Sequence, residues 1–203
     1  MKSNRLFVSA LILGITALTI TSCGKAPQEK IDLANQAVQN AGAAEAQTYA
    51  TESYVALQDS LKAALEAVEA ENGSLFKDYS VAIAKLDQVV AYSDDVKVEA
   101  ELGKQAYAAE IAANIQAIQT LLAENKQLIE EAPKGKEGTA ALLAIKGELE
   151  AIESSVTELN ELVATGELIA SSQKSKVSKE KALAINGELK GVIAKYKGNN
   201  KKA

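Results

Sequence analysis

Residues 140 to 164 read AALLAIKGELEAIESSVTELNELVA, and in them Leu142, Ile145, Leu149, Ile152, Val156, Leu159 and Val163 recur at alternating steps of three and four. That spacing lines one stripe of a helix with apolar side chains, and its persistence over three heptads marks a seam made for another helix. Just before it, Pro133 and Lys134-Gly135-Lys136-Glu137-Gly138 combine a helix breaker with two glycines, which predicts a loop over 133–138. Upstream of that loop a second long pattern runs through Tyr79, Ile83, Leu86, Val89, Val90, Ala100, Tyr107, Ile111, Ile115, Ile118, Leu122 and Ile129, with a weak point at Ser93-Asp94-Asp95. Two long amphipathic helices joined by a short loop predict an antiparallel pair packed along the seam.

Toward the C-terminus the pattern fades. Gly166, Gly187 and Gly191 each lower helix propensity by about 1 kcal/mol relative to Ala, and the polar run from Ser171 predicts a kink near Ser171 to Lys176. Leu183, Leu189, Val192, Ile193 and Tyr196 then indicate a last helix that turns back, so 139–197 reads as one long amphipathic helix or a helix pair. Residues 198–203 read as a frayed basic tail.

Toward the N-terminus, a first helix is expected from Pro27 or Gln28 to Ala41, ended by Gly42, with residues 43–50 as loop or loose helix. Thr51 reads as the N-cap of a second helix whose stripe is Tyr54, Leu57, Leu61, Ala64, Leu65 and Val68, and Asn72-Gly73 ends it. Ser74 or Asp78 would cap the third. Residues 29–132 are therefore expected to form Ala-rich helical hairpins. Aromatic residues make up only 4% of the chain, so its core must be thin, with helices close together across alanine. The expected fold is all-α: an elongated antiparallel bundle of coiled-coil-like hairpins behind a short tether at 23–28.

Residues 1–22 are of another kind. Lys2 and Arg5 precede an uncharged run from Leu6 to Ile20, followed by small polar residues, which is a signal-peptide profile. As a helix that run would span roughly 22 Å, short of the roughly 30 Å hydrocarbon core of a bilayer. Ile20-Thr21-Ser22-Cys23 resembles the lipobox of bacterial lipoproteins. The resemblance implies cleavage between Ser22 and Cys23, a diacylglyceryl group on the Cys23 sulfur with palmitate-type acylation, and attachment to the cell envelope. Gly24, rather than Asp, resembles the outer-membrane sorting signal of enteric bacteria, and the location expected is the outer membrane, facing the periplasm. A plain signal peptide, or an ordinary thiol at Cys23, is the competing reading.

Composition bounds the chemistry of the remainder. Cleavage after Ser22 removes two of the 22 basic side chains and none of the 27 acidic ones, so the net charge falls from −5 to −7. Arg5 is the only arginine, and an acidic body without guanidinium groups argues against nucleic-acid binding. Beyond residue 22 there is no His, no Trp, no Met and no thiol but Cys23, which removes imidazole bases, thiolate nucleophiles and the usual zinc ligands. No catalytic residue, metal or cofactor is expected, and the chain reads as a non-enzyme.

The candidate sites are few. Asp94-Asp95 and Glu130-Glu131 are adjacent carboxylates, but no turn glycines or further oxygens make a calcium loop around either, and they read as solvated helix surface. Tyr54, Tyr79 and Tyr107 recur on apolar faces and could stack on sugar rings, or simply fill gaps in an Ala-rich core with the hydroxyl reaching water. Lys195, Lys197, Lys201 and Lys202 make the C-terminus basic, which serves solubility or meets an anionic surface. Lys62/Glu66, Lys97/Glu101, Lys126/Glu130 and Lys146/Glu150 stand at helical spacing for surface pairs.

One stretch resembles a known family. Ala41-Gly42-Ala43-Ala44, Tyr49-Ala50-Thr51-Glu52-Ser53-Tyr54 and, after an Ala-rich helix, Lys77-Asp78-Tyr79-Ser80-Val81-Ala82 are similar to an uncharacterised α-helical domain of short outer-membrane lipoproteins. The resemblance covers about residues 27–110, departs from the family at Thr51, where Pro is usual, and implies a periplasmic helical domain with no activity. The function expected is that of a non-catalytic envelope lipoprotein, a structural or protein-interaction helical module. Its partners would be the membrane, through Cys23, and an envelope protein or peptidoglycan, with self-association open. The alternative is a binding module for a small apolar or glycan ligand between the helices.

Overall fold

The computed structural model describes residues 25–133 and 136–200, and among them every regular element is helical. The helices are α1 (Gln28–Ala43), α2 (Ala46–Tyr49), α3 (Thr51–Asn72), α4 (Ser80–Glu131), α5 (Lys136–Ala164) and α6 (Leu168–Asn200). The all-α bundle expected from the periodicity is what the chain forms. Ser22, Cys23, Lys134, Gly135, Lys201 and Lys202 lie outside the described residues.

The spine is α4, 52 residues long, or about 78 Å at roughly 1.5 Å per residue. It runs without interruption through Ser93-Asp94-Asp95, where a weakening was expected. Ser93 is buried and gives its hydroxyl to the Val90 carbonyl, while Asp94 pairs with Lys97 one turn on. The polar atoms are thus satisfied within the helix itself. Ala82, Leu86, Val89, Ser93, Val96 and Ala100 are all buried at heptad steps, and the stripe resumes at Ile111.

Two three-helix segments share this spine. In the first, α1 runs parallel to α4, with Lys30 on Asp87 (2.7 Å) and Glu45 on Lys104 (2.5 Å). The intervening α3 is antiparallel, its Ser53 hydroxyl donating to Glu99 and its Asn72 meeting Tyr79. In the second, α6 is parallel to α4 and α5 returns between them in sequence, with Ser155 of α5 against Ser178 of α6 (2.9 Å). Since α1 pairs with the early part of α4 and α6 with its late part, they follow one another along the spine and the molecule is a rod.

Four expectations about where helices begin and end need correction. Thr51 does not cap α3 by its side chain: Ala50 holds the cap position and the Thr51 hydroxyl turns back to the Gln47 carbonyl, because the short α2 ends there. The loop at 133–138 is shorter than expected, since α5 already begins at Lys136. The break expected at Ser171–Lys176 falls at Thr165–Glu167: Gly166, at φ +82°, ends α5 with Glu167 N–H on the Leu162 carbonyl and Gly166 N–H on that of Val163. The helix also continues to Asn200 through the expected basic tail.

The seam of α5 is buried as read, with Ile145, Leu149, Ile152 and Leu159 in the core and Val163 at its exposed end. Its partner differs, however. The late part of α4 packs chiefly on α6 rather than α5, because α6 presents Ser171, Ser175, Ser178 and Ala182, small side chains that let two backbones approach. Of the stripe expected there, Leu189 and Ile193 are buried while Leu183, Val192 and Tyr196 are about half exposed, and Ile185, not expected, completes it.

Candidate functional site

The residues singled out by sequence do not converge. Tyr79 is buried at the start of α4 and donates its hydroxyl to Asn72 Oδ1 (2.5 Å), closing the α3–α4 connection. Tyr54, on α3, lays its hydroxyl against Gly42: a Cβ there would stand 2.9 Å from Tyr54 Oη. Tyr107 meets Tyr49 edge to face, centroids 5.8 Å apart, and lies roughly 40 Å along α4 from Tyr79 at about 1.5 Å per residue. The three tyrosines pack in three separate places along the described rod and share no face.

The carboxylate pairs are likewise dispersed. Asp94 holds Lys97, and Glu131 receives Lys197 from the C-terminal end of α6 at 3.5 Å. Among the described residues no cluster of three or more His, Cys, Asp or Glu side chains could hold a metal ion, and no helix is long and apolar enough to cross a membrane. Of the surface pairs expected by spacing, Lys97 turns instead to Asp94 and Lys126 to Glu153 of α5.

Two constellations escaped the sequence reading. The first is the joint between the two segments. Glu45 adopts a left-handed backbone conformation (φ 63°) between α1 and α2, a geometry that costs a non-glycine residue roughly 1–2 kcal/mol. Its carboxylate accepts from Lys104, whose ammonium also sits 5.5 Å from the Tyr49 ring centroid. The hydrogen bond to Glu45, ahead of the cost of desolvation, holds the Lys104 pKa above its ordinary value. Beneath Tyr49 lies Gly103, where a Cβ would come within 2.5 Å of the Tyr49 carbonyl oxygen, so α2 crosses α4 in contact with its backbone.

The second is a polar seam between α4 and α6. Asn125, fully buried, donates to the Ala182 carbonyl (2.9 Å) and accepts from Asn186 (2.8 Å). One step back, Asn114 donates to Ser175 (3.0 Å) and accepts from Lys179 (2.8 Å), while Ser175 donates to the Ser172 carbonyl. Along the rim Glu110, Glu124 and Glu131 pair with Lys176, Lys190 and Lys197, a ladder at heptad spacing with one constant offset. The hydrogen bond from Lys176 lowers the Glu110 pKa and that from Lys190 lowers the Glu124 pKa; the Lys176 pKa is correspondingly raised by Glu110. The Ser171 hydroxyl is buried with no hydrogen-bond partner among the described residues.

No family model, curated protein or solved structure matches the chain. What the described residues offer chemically is carboxylates, ammonium groups, hydroxyls and amides, some of them engaged with one another between helices, as in Lys30–Asp87, Lys126–Glu153 and Lys190–Glu124. The concavities are open grooves between helices; one lies between α4 and α5 and is lined by Lys126, Ile129, Lys146, Leu149 and Glu153. The arrangement is a rod in which buried amides and ion pairs align α6 with α4.

Proposed function

We propose that this chain is a non-catalytic, lipid-anchored lipoprotein of the cell envelope, held in the outer membrane and facing the periplasm, whose helical rod spaces or docks envelope components. The observation that carries the reading is directional. α1 begins beside the first turns of α4 and α6 ends beside its last turn. The segment bearing the lipobox Ile20-Thr21-Ser22-Cys23 therefore enters the described part at one end, and the other end lies about 70 Å away.

Two further observations support it. Two core clusters sit in series on the single uninterrupted helix α4, so the segments are joined by a packed helix rather than by a flexible linker. The motifs that resemble the lipoprotein domain, Tyr49-Ala50-Thr51 and Asp78-Tyr79, bracket α3; this favours assigning the first segment to that domain family.

The test is photo-crosslinking in intact cells from positions on the distal segment whose side chains are exposed, Leu143, Val192 and Tyr196. Adducts with an envelope protein or with peptidoglycan are the expected result. Recovery of the uncrosslinked chain alone from all three positions contradicts the reading.

A further inference from the structure

The turn between α3 and α4 presents its apolar side chains outward. Leu75 and Phe76 are 96% and 91% exposed, more than any other large apolar side chains described, and Val81 in the next turn is 64% exposed. A solvated turn shows the opposite arrangement. The polar groups beside them are tied to one another at the surface: the Ser74 hydroxyl donates to the Phe76 carbonyl, Asp78 N–H donates to Glu71, and Ser80 N–H donates to the Asp78 carboxylate, which lowers the Asp78 pKa. With Tyr79 fastened to Asn72, the loop is held from both sides while its two apolar residues project.

Position decides what could cover them. Lys30 is level with Asp87, so α1 starts about 8 Å behind the first residue of α4, at the same end of the rod as the tip. Ala26 packs against the core, and from it back to Cys23 is a stretch of three residues, which reaches at most about 11 Å at roughly 3.3–3.6 Å each. An anchor at Cys23 would thus hold this end against the membrane, and the tether is long enough for the tip to touch it but too short for the rod to stand clear.

We infer that Leu75 and Phe76 form a membrane-contacting tip, which inserts into the interfacial layer of the bilayer that holds Cys23 and orients the rod upright. The inference rests on the lipoprotein reading above. Lys77, next to Phe76, suits the headgroup level, and an aromatic–aliphatic pair buried there adds to the hold of the acyl chains.

Beyond residue 22 the chain has no tryptophan, so Phe76→Trp in the full lipidated protein gives a single reporter, and Tyr196→Trp gives one at the far end. Both are reconstituted into vesicles of phosphatidylethanolamine and phosphatidylglycerol, with and without lipids brominated on the acyl chain. The expected result is blue-shifted, bromolipid-quenched emission at position 76 and water-like, unquenched emission at 196. Water-like emission at 76 in protein that cofloats with vesicles overturns the tip while the lipid anchor stands. Equal quenching at both positions means that the rod lies flat, and a blue shift at 76 without vesicles means that a second copy covers the tip; each overturns the proposal. Failure to cofloat, together with no acyl mass on Cys23, sinks the lipoprotein reading instead. Thermal melting matched to the parent shows that the exposed substitution leaves the fold intact.

Discussion

The two segments built on α4 solve the same packing problem with different side chains. Where α4 meets α1 and α3, the buried residues include Ala34, Val38, Ala41, Leu57, Ala64, Val68, Leu86 and Val96, and among the described residues there only Ser93 and the Tyr79 hydroxyl bring polar groups into it. Where α4 meets α6, Asn114, Asn125, Ser171, Ser172, Ser175, Ser178 and Asn186 are buried beside Ile118, Leu122 and Leu189. Apolar burial stabilises without choosing a register, whereas a buried amide must find its partner and tolerates only one alignment of the helices. The proximal segment is thereby held mainly by packing, and the distal segment is held in register by hydrogen bonds and a ladder of ion pairs.

The largest expected effect comes from the packing itself. Leu57→Ala in the proximal core and Leu159→Ala in the distal core, both fully buried, should each cost about 2–5 kcal/mol. Because α4 is continuous, urea unfolding should remain one transition in both variants. Two separated transitions would show that the segments fold independently and that the spine does not couple them.

Next is the polar seam. Asn125→Ala strands the Asn186 amide and removes the bond to the Ala182 carbonyl, a loss of about 1–3 kcal/mol by chemical denaturation. Replacing both Asn125 and Asn186 by Leu should restore or raise stability while loosening register, visible as faster amide hydrogen exchange in α6. If the double variant exchanges as slowly as the parent, the seam does not specify alignment.

Gly103→Ala probes the joint. The alanine gains about 1 kcal/mol of helix propensity but forces α2 off the α4 backbone, at about 1–3 kcal/mol for overpacking. A small net fall in melting temperature is expected, with altered near-ultraviolet dichroism from the Tyr49–Tyr107 pair.

The smallest effect is electrostatic. Glu110 and Glu124 have folded pKa values below the ordinary 4.5, so their contribution is present above about pH 4.5 and is lost as pH falls through the folded values. Acidification from pH 7 to 3 should therefore cost the parent more melting temperature than the Glu110→Gln, Glu124→Gln double variant. Equal losses would mean that the ladder is decorative.

The same contrast explains what was legible in the sequence. Helices whose seams are apolar, α3 and α5, were read from Leu57, Leu61, Ile145 and Leu149 because burial there is the familiar kind. In α6 the seam is written in Ser171, Ser175 and Ser178, which look like a solvated break until Asn114 and Ser155 are brought opposite them. Likewise Asn114 and Asn125 interrupt the apolar pattern of α4, and nothing local shows that their partners lie about 60 positions away. The tyrosines were legible as half-buried groups but not as three separate packing devices, and the strained Glu45 between two helices had no pattern to announce it.

The account depends most on the assignment of Cys23 as the anchor from which this rod projects. Metabolic labelling with an alkyne fatty acid, followed by affinity capture of the wild type and of Cys23→Ala, tests it directly. The account predicts a strongly labelled wild type recovered with membranes and an unlabelled variant that still folds; equal labelling of the two proteins would contradict it.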